Sequence, residues 1–173
     1  MKYRFLDSRF GRVLVAGDGD SLQWLSFTTG RQKATSLSEW IEDNRNTLLR
    51  EAGRELDAYF AGKRERFDLP LEPQGTAFQK RVWKKLVSIP YGKTVSYSEL
   101  ARRIGCPGAF RAVGAANGQN PISVIIPCHR VLGKNGDLTG YGGGLDMKRR
   151  LLELERCTNE DRSERRSVIA EVG

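Results

Sequence analysis

Histidine is almost missing from this chain of 173 residues, where His129 stands alone. Cysteine is scarce too: there are three at irregular spacing, and one of them, Cys128, is the direct neighbour of that histidine. An odd number of unevenly spaced cysteines argues against a disulfide framework and fits a reducing compartment. No apolar run approaches the roughly 20 residues a membrane helix needs, and Met1-Lys2-Tyr3-Arg4-Phe5 has no signal-peptide core. The expected protein is soluble and cytoplasmic.

Negative charge is in deficit, with Asp+Glu 21 against Lys+Arg 29 and a net charge of +8. Such an excess favours a polyanionic partner, because neutralised phosphates release counterions, although many basic proteins bind no nucleic acid. With 39% hydrophobic residues the chain can bury a sizeable core, as one ordinary domain or two small ones.

The first part reads as strands. Segments 3–6, 12–16 and 21–27 are rich in β-branched and aromatic residues, and Gly17-Asp18-Gly19-Asp20 is a hairpin turn between two of them. A helix over 47–61 follows, its apolar residues Leu48, Leu49, Ala52, Leu56, Tyr59 and Phe60 at helical spacing and Gly62 as its stop. The stretch 67–75 carries two prolines and a glycine and reads as a connector between a structural N-terminal unit, 1–70, and a second unit, 75–156.

The second unit opens with the capping box Thr76-Ala77-Phe78-Gln79, ahead of a stripe of Phe78, Val82, Trp83 and Leu86. A second box, Ser96-Tyr97-Ser98-Glu99, starts a short helix that Gly105 ends, and another helix over 109–117 ends at Gly118. Two short helices joined through a glycine form a helix-turn-helix pattern, which is also common as a mere packing unit. The later helix carries Arg111, Ala112, Gly114, Ala115 and Ala116, small side chains around one long cation, a face suited to close approach to a duplex. The fold class is α+β: a small N-terminal β-sheet with a helix, followed by a mostly helical C-terminal part with a helix-turn-helix.

The run 122–126 is compatible with a buried strand or extended segment, and it delivers Pro127-Cys128-His129-Arg130. A thiolate is a strong nucleophile, and a neighbouring base or cation lowers a thiol pKa toward neutrality. The commoner meaning of a Cys-His pair is a buried small hydrophobe beside a surface histidine, since catalytic pairs need spatial rather than sequential adjacency. Tyr141 lies among four glycines, which suggests backbone passing close to a ligand or else a flexible loop. A last helix spans about 145–155 with Leu151, Leu152 and Leu154 as core candidates, and 157–173 is a charged tail, mobile or frayed.

Taken together, Ile126-Pro127-Cys128-His129-Arg130-Val131, the preceding Asn120-Pro121 and the following Tyr141-Gly142-Gly143-Gly144-Leu145 resemble the active-site signature of the O6-alkylguanine-DNA alkyltransferases. The similarity runs from about Gly75 to Glu155, through Ile89-Pro90-Tyr91-Gly92, Val95-Ser96-Tyr97 and Arg111-Ala112-Val113-Gly114. The resemblance implies that Cys128 accepts the alkyl group irreversibly, once per molecule and without a cofactor. It implies His129 as the base acting through a water, Glu155 as the carboxylate that orients it, with Glu153 as competitor, and Asn120 as the brace of the cysteine loop. Tyr97 corresponds to a phenol that helps protonate guanine N3. Arg111 corresponds to a finger filling the stack after base flipping, on a helix with Ala112, Gly114 and Ala115 that enters the minor groove of double-stranded DNA. Val131, Tyr141 and Gly142 correspond to the pocket for the alkylated guanine, with O4-alkylthymine as a further substrate.

Some relatives hold a structural zinc through cysteines and histidines near the N-terminus. With no histidine there and neither Cys106 nor Cys157 in that part, no metal site is expected. A monomer is expected, with clustering on DNA left open. Three rival readings stand beside this one: a non-catalytic sensor of alkylated bases, a thiol hydrolase using Cys128 and His129, and a structural DNA-binding module.

Overall fold

The structure, a computed structural model, describes residues 1–29 and 37–171, with side chains through Thr158 and at Glu160. The last two residues of the charged tail lie outside the described residues. Strands β1 (Lys2–Ser8), β2 (Gly11–Asp18) and β3 (Ser21–Phe27) pair antiparallel, and β4 (Ile41–Glu42) adds in parallel beside β1, giving the order β3-β2-β1-β4. The Gly17–Asp20 signal makes the β2–β3 turn, with Gly19 at φ 56°. Alternation along β2 sends Val13 and Val15 into the core shared with the helices and turns Leu14 and Ala16 to the other face.

Helix α1 (Thr47–Phe60) starts where Asn46 Oδ1 accepts from Leu49 N at 3.0 Å, and it buries Leu49, Ala52, Leu56, Tyr59 and Phe60. Each large apolar side chain so buried stabilises the fold by about 1.5–3 kcal/mol. Gly62 follows at φ 72° as the expected stop. The connector is not a free linker. It lies along β3, where Leu22 N donates to Pro70 O at 2.8 Å and Glu72 N to Leu22 O at 2.9 Å.

Helix α2 (Ala77–Val87) opens with both halves of its capping box, Gln79 N to Thr76 Oγ1 and Thr76 N to Gln79 Oε1. Trp83 is core: its Nε1 donates to Ala116 O at 2.8 Å and ties α2 to α4 (Phe110–Gly118). Helix α3 (Tyr97–Arg103) is capped by Ser96, whose Oγ accepts from Glu99 N. Only half of that box forms, because the Glu99 carboxylate turns outward to Arg102 and Arg103. Gly118 is the last helical residue of α4 and not a left-handed stop, so the chain turns one residue later than expected.

Two expectations fail. The run 122–126 is not extended beyond Ile122, whose only ladder contact is a bridge to Leu25. Between Pro121 and Pro127 the backbone closes on itself, Ile125 N donating to Ser123 O at 2.9 Å and Ile126 N to Ile122 O at 3.0 Å. Apolarity specified burial there; the turns satisfy the Ile125 and Ile126 amides, and Leu25 of β3 satisfies that of Ser123. Helix α5 (Leu145–Glu171) also continues past residue 155. Its extension contains no glycine or proline, is rich in Glu and Arg, and carries the i,i+4 pair Arg156–Glu160.

A last pairing positions the chemistry. Strands β5 (Val95–Ser96) and β6 (Val131–Leu132) run parallel, Val95 opposite Val131, and bring the start of α3 beside the cysteine turn. Among the described residues, no helix is long and apolar enough to cross a membrane.

Candidate active site

Cys128 opens a single 3-10 turn, Cys128–Arg130, reached through two tight bends, the first of them strained. Val124, a β-branched residue, sits at φ 72° at the centre of the Ser123–Ile125 bend, a conformation costing about 1–3 kcal/mol. Pro127 then makes an inverse γ-turn, φ −82° and ψ 64°, closed by Cys128 N to Ile126 O at 2.8 Å. Asn120 fastens the assembly. Its Nδ2 donates to Ile126 O at 2.8 Å and to Cys128 Sγ at 3.1 Å, while its Oδ1 accepts from Ile122 N at 3.0 Å. Asn117 Nδ2 donates to Cys128 O at 3.3 Å.

Behind the cysteine lies a buried network centred on Glu155 of α5. Glu155 Oε1 accepts from His129 Nε2 at 2.9 Å, from Tyr59 Oη at 2.6 Å and from Arg130 Nη2 at 2.8 Å. Its Oε2 accepts from Gly92 N at 2.9 Å and from Arg130 Nε at 3.0 Å. Burial alone would raise the Glu155 carboxyl, but the hydrogen bonds from His129 and Arg130 and the Arg130 charge prevail and bring it down to about 2. An ionised acceptor there keeps the imidazole proton on Nε2, so Nδ1 presents its lone pair. Among the described residues, Nδ1 has no hydrogen-bond partner. Burial holds the His129 pKa below 6.5, leaving the ring neutral and able to take a proton.

Lys148 is a further buried ion, fully enclosed, with Nζ donating to Val131 O at 2.6 Å and to Thr139 O at 2.7 Å. Burial lowers it to about 8, against the pull of Cys128. Arg130 offsets Glu155, whereas among the described residues Lys148 pairs with no carboxylate. The cluster is therefore one positive charge in excess with Cys128 as a thiol and neutral with it as a thiolate. The expectation of a thiol lowered toward neutrality by its neighbours is corrected here. Burial pushes Cys128 up to about 11, outweighing the Asn120 hydrogen bond and the Lys148 charge, and the neutral His129 adds no positive charge.

The other expected residues distribute as follows. Tyr97 is half-buried at the start of α3, its Oη donating to Thr139 O at 3.3 Å, and burial, followed by the Cys128 charge, raises its pKa. Gly114 packs against the Tyr97 ring, where an added Cβ would lie 3.8 Å away, and Arg111, Ala112 and Ala115 are exposed on α4. The Arg111 guanidinium rests 5.8 Å from the Phe110 ring centroid. Val131 is buried, with its carbonyl taken by Lys148, and Gly142 is half-buried. Tyr141 meets the His129 ring edge-on at 6.5 Å. Gly143 explains part of the glycine run, since a Cβ there would stand 2.8 Å from the Tyr141 ring. Glu153 is exposed, so Glu155 alone of the two reaches His129.

Sequence reasoning missed Tyr59, Arg130, Asn117 and Lys148. Two signals were available. Lys148 and Glu155 flank Leu151 on the apolar stripe of α5, where a charged residue needs a reason, and Arg130 belongs to the Cys-His motif itself. Tyr59 reads only as core, because periodicity does not reveal a hydroxyl's partner. Among the described residues no cluster of three or more potential metal ligands occurs.

Known proteins share this arrangement of halves. Residues 77–157 match the family model for the 6-O-methylguanine DNA methyltransferase DNA binding domain, and residues 1–73 that for its ribonuclease-like domain. A methylated-DNA–protein-cysteine methyltransferase of Methanosarcina barkeri is 52% identical over 155 residues, covering 90% of this chain and 97% of the relative. One from Mycobacterium tuberculosis is 51% identical over 154 residues, covering 89% and 92%. The crystal structure of Mycobacterium tuberculosis OGT in complex with DNA superposes with a TM-score of 0.85 at 50% identity, covering 91% of this chain and 94% of that one. An O6-methylguanine DNA methyltransferase from Methanococcus jannaschii gives 0.65 at 28% identity, covering 88% and 93%. The chain belongs to the 6-O-methylguanine DNA methyltransferase family, and its activity is that of a methylated-DNA–protein-cysteine methyltransferase acting in DNA repair.

Proposed function

We propose that Cys128 Sγ is the acceptor atom and that it takes the alkyl group from O6 of a guanine flipped out of the duplex. The observation that carries this reading is the pairing of an enclosed thiol, held by Asn120, with a neutral imidazole whose one unpartnered nitrogen is Nδ1. The Cys128 proton passes to His129 Nδ1 through a water. The thiolate attacks the alkyl carbon in line, the S–C bond forms, the C–O6 bond breaks, and the electron pair leaves with guanine. Tyr97 supports protonation of the departing base at N3, so that it leaves uncharged.

With burial raising the Cys128 thiol to about 11 and lowering the His129 base, proton transfer between them is uphill. A step at about one per second tolerates a barrier of roughly 17 kcal/mol, so the ionisation can be transient and still precede transfer. Lys148 favours it by supplying the unmatched buried charge. The product is a thioether with no easy leaving route, hence one turnover per molecule.

Base flipping follows from access, because Cys128 is 3% exposed and O6 of a paired base lies inside the stack. Arg111, on the exposed face of α4 with Ala112 and Ala115, fills the vacated position from the minor groove. Val131, Tyr141 and Gly142 line the pocket for the base, and O4-alkylthymine is a second substrate. Incubation with duplex oligonucleotide containing O6-methylguanine, followed by intact-mass analysis and peptide mapping, tests the assignment. A gain of one methyl group on Cys128 is expected. An unmodified protein would instead favour a non-catalytic sensor, and a label on Cys106 or Cys157 would refute Cys128 as the acceptor.

A further inference from the structure

Tyr59 lies in the half of the chain that carries no part of the chemistry described above, yet its hydroxyl reaches the centre of it. The side chain is fully enclosed, its Oη 2.6 Å from Glu155 Oε1 and 3.4 Å from His129 Nε2. Its ring is gripped by Phe60, Phe67 and Tyr91 at centroid distances of 5.7, 5.3 and 5.8 Å, so the hydroxyl cannot swing to another acceptor. A phenylalanine would fill the same space without burying a polar group, which leaves the carboxylate as the reason for the oxygen.

We propose that Tyr59 is a positioning residue of the transfer reaction, its phenol sharing Glu155 Oε1 with His129 so that the N-terminal half sets how strongly the carboxylate holds the imidazole. Oε1 is divided among Tyr59, His129 and Arg130. Withdrawing the phenol leaves more of its negative charge facing His129, which then binds a proton more readily and ceases to be a base at a higher pH. The remaining groups around the ring are Cys128 and Arg130 on its own turn, Lys148 on α5, Tyr91 after α2 and Tyr141 in the glycine loop. All of them are retained when only the Tyr59 oxygen is removed.

This inference rests on the reading of His129 as the base, and its test separates the two. His129 is the only histidine in the sequence, so its imidazole resonances titrate without overlap in NMR of the full chain. In Tyr59→Phe the His129 midpoint is expected to rise by about half to one pH unit, a fraction of what a full charge-assisted hydrogen bond would give, because the phenol acts on the imidazole only through Glu155. The acid limb of the transfer rate on O6-methylguanine duplex should move by the same amount. Site-specific 3-fluorotyrosine at position 59 makes a stronger donor in the same packing, and it should move both in the opposite direction. Coincident midpoints in all three proteins overturn the proposal, as does a uniform loss of rate with a lower Tm and no change in midpoint. Should Tyr59→Phe fail to fold, the fluorinated protein alone decides, a midpoint that stays or rises refuting the coupling. Absence of a mass gain on Cys128 in the unsubstituted protein would overturn the transfer reading, while the His129 midpoints would still judge Tyr59.

Discussion

Burial works against ionising Cys128 more strongly than its neighbours work for it, and that tension fixes how the rate should depend on pH. On the proposed mechanism His129 must be neutral to take the proton, so transfer falls as pH drops through its pKa, which burial holds below the ordinary histidine value. Lys148 must keep its charge, so transfer declines again above about 8. Quenched-flow rates on methylated duplex should show a plateau between these limits. Lys148→Met should slow transfer at least about tenfold and abolish the alkaline decline, and an unchanged alkaline limb would remove Lys148 from the account. Cys128→Ser should lose transfer entirely while binding duplex within about twofold of the unsubstituted affinity, as read by fluorescence anisotropy, because phosphate contacts dominate affinity. At this scale the sequence pointed to Cys128, His129 and Asn120, and the structure brings the Asn120 amide onto the Cys128 sulfur. It did not reveal that burial governs the thiol, nor that Tyr59 touches Glu155, because both depend on what the fold brings from 70 to 96 residues away.

Among the elements, α4 presents an exposed face of small side chains around one arginine. Gly114 admits the Tyr97 ring on one side, while Arg111 points outward with Ala112 and Ala115. Arg111→Ala should therefore slow transfer on duplex DNA by about tenfold or more and change duplex affinity by less than about threefold. Equal rates for the two proteins would remove the finger role. Capping boxes and helical stripes made α1 to α4 legible to within a residue or two. The 122–126 segment misled because a run of buried apolar residues looks alike as a strand or as consecutive turns, and only the flanking prolines hinted at the latter. The end of α5 was misplaced for the opposite reason. Its charged extension has no apolar stripe to count, only propensity and side-chain pairing to sustain it.

For the molecule as a whole, the Glu155 network makes acid stability a sum of two windows. Glu155 has its folded pKa depressed from 4.5 to about 2, so its contribution is complete above 4.5 and is lost as pH falls through that range toward 2. His129 is buried neutral with its pKa depressed, so its share is present above 6.5 and declines below it. Thermal melts should show Tm falling first below pH 6.5 and again below 4.5. In Glu155→Gln the second drop should shrink, on a protein already about 3–5 kcal/mol less stable for leaving Arg130 uncompensated. A Tm independent of pH between 6.5 and 3 would contradict the network.

Strand β3 also does something no motif announces: Leu25 N donates to Pro121 O and Ser123 N to Leu25 O, both at 2.8 Å, just ahead of the strained bend at Val124. The β2–β3 hairpin is thus the mould against which the cysteine loop is cast. A chain severed between residues 73 and 76 should yield a second fragment carrying an inert sulfur, and adding back the first fragment should restore its reactivity.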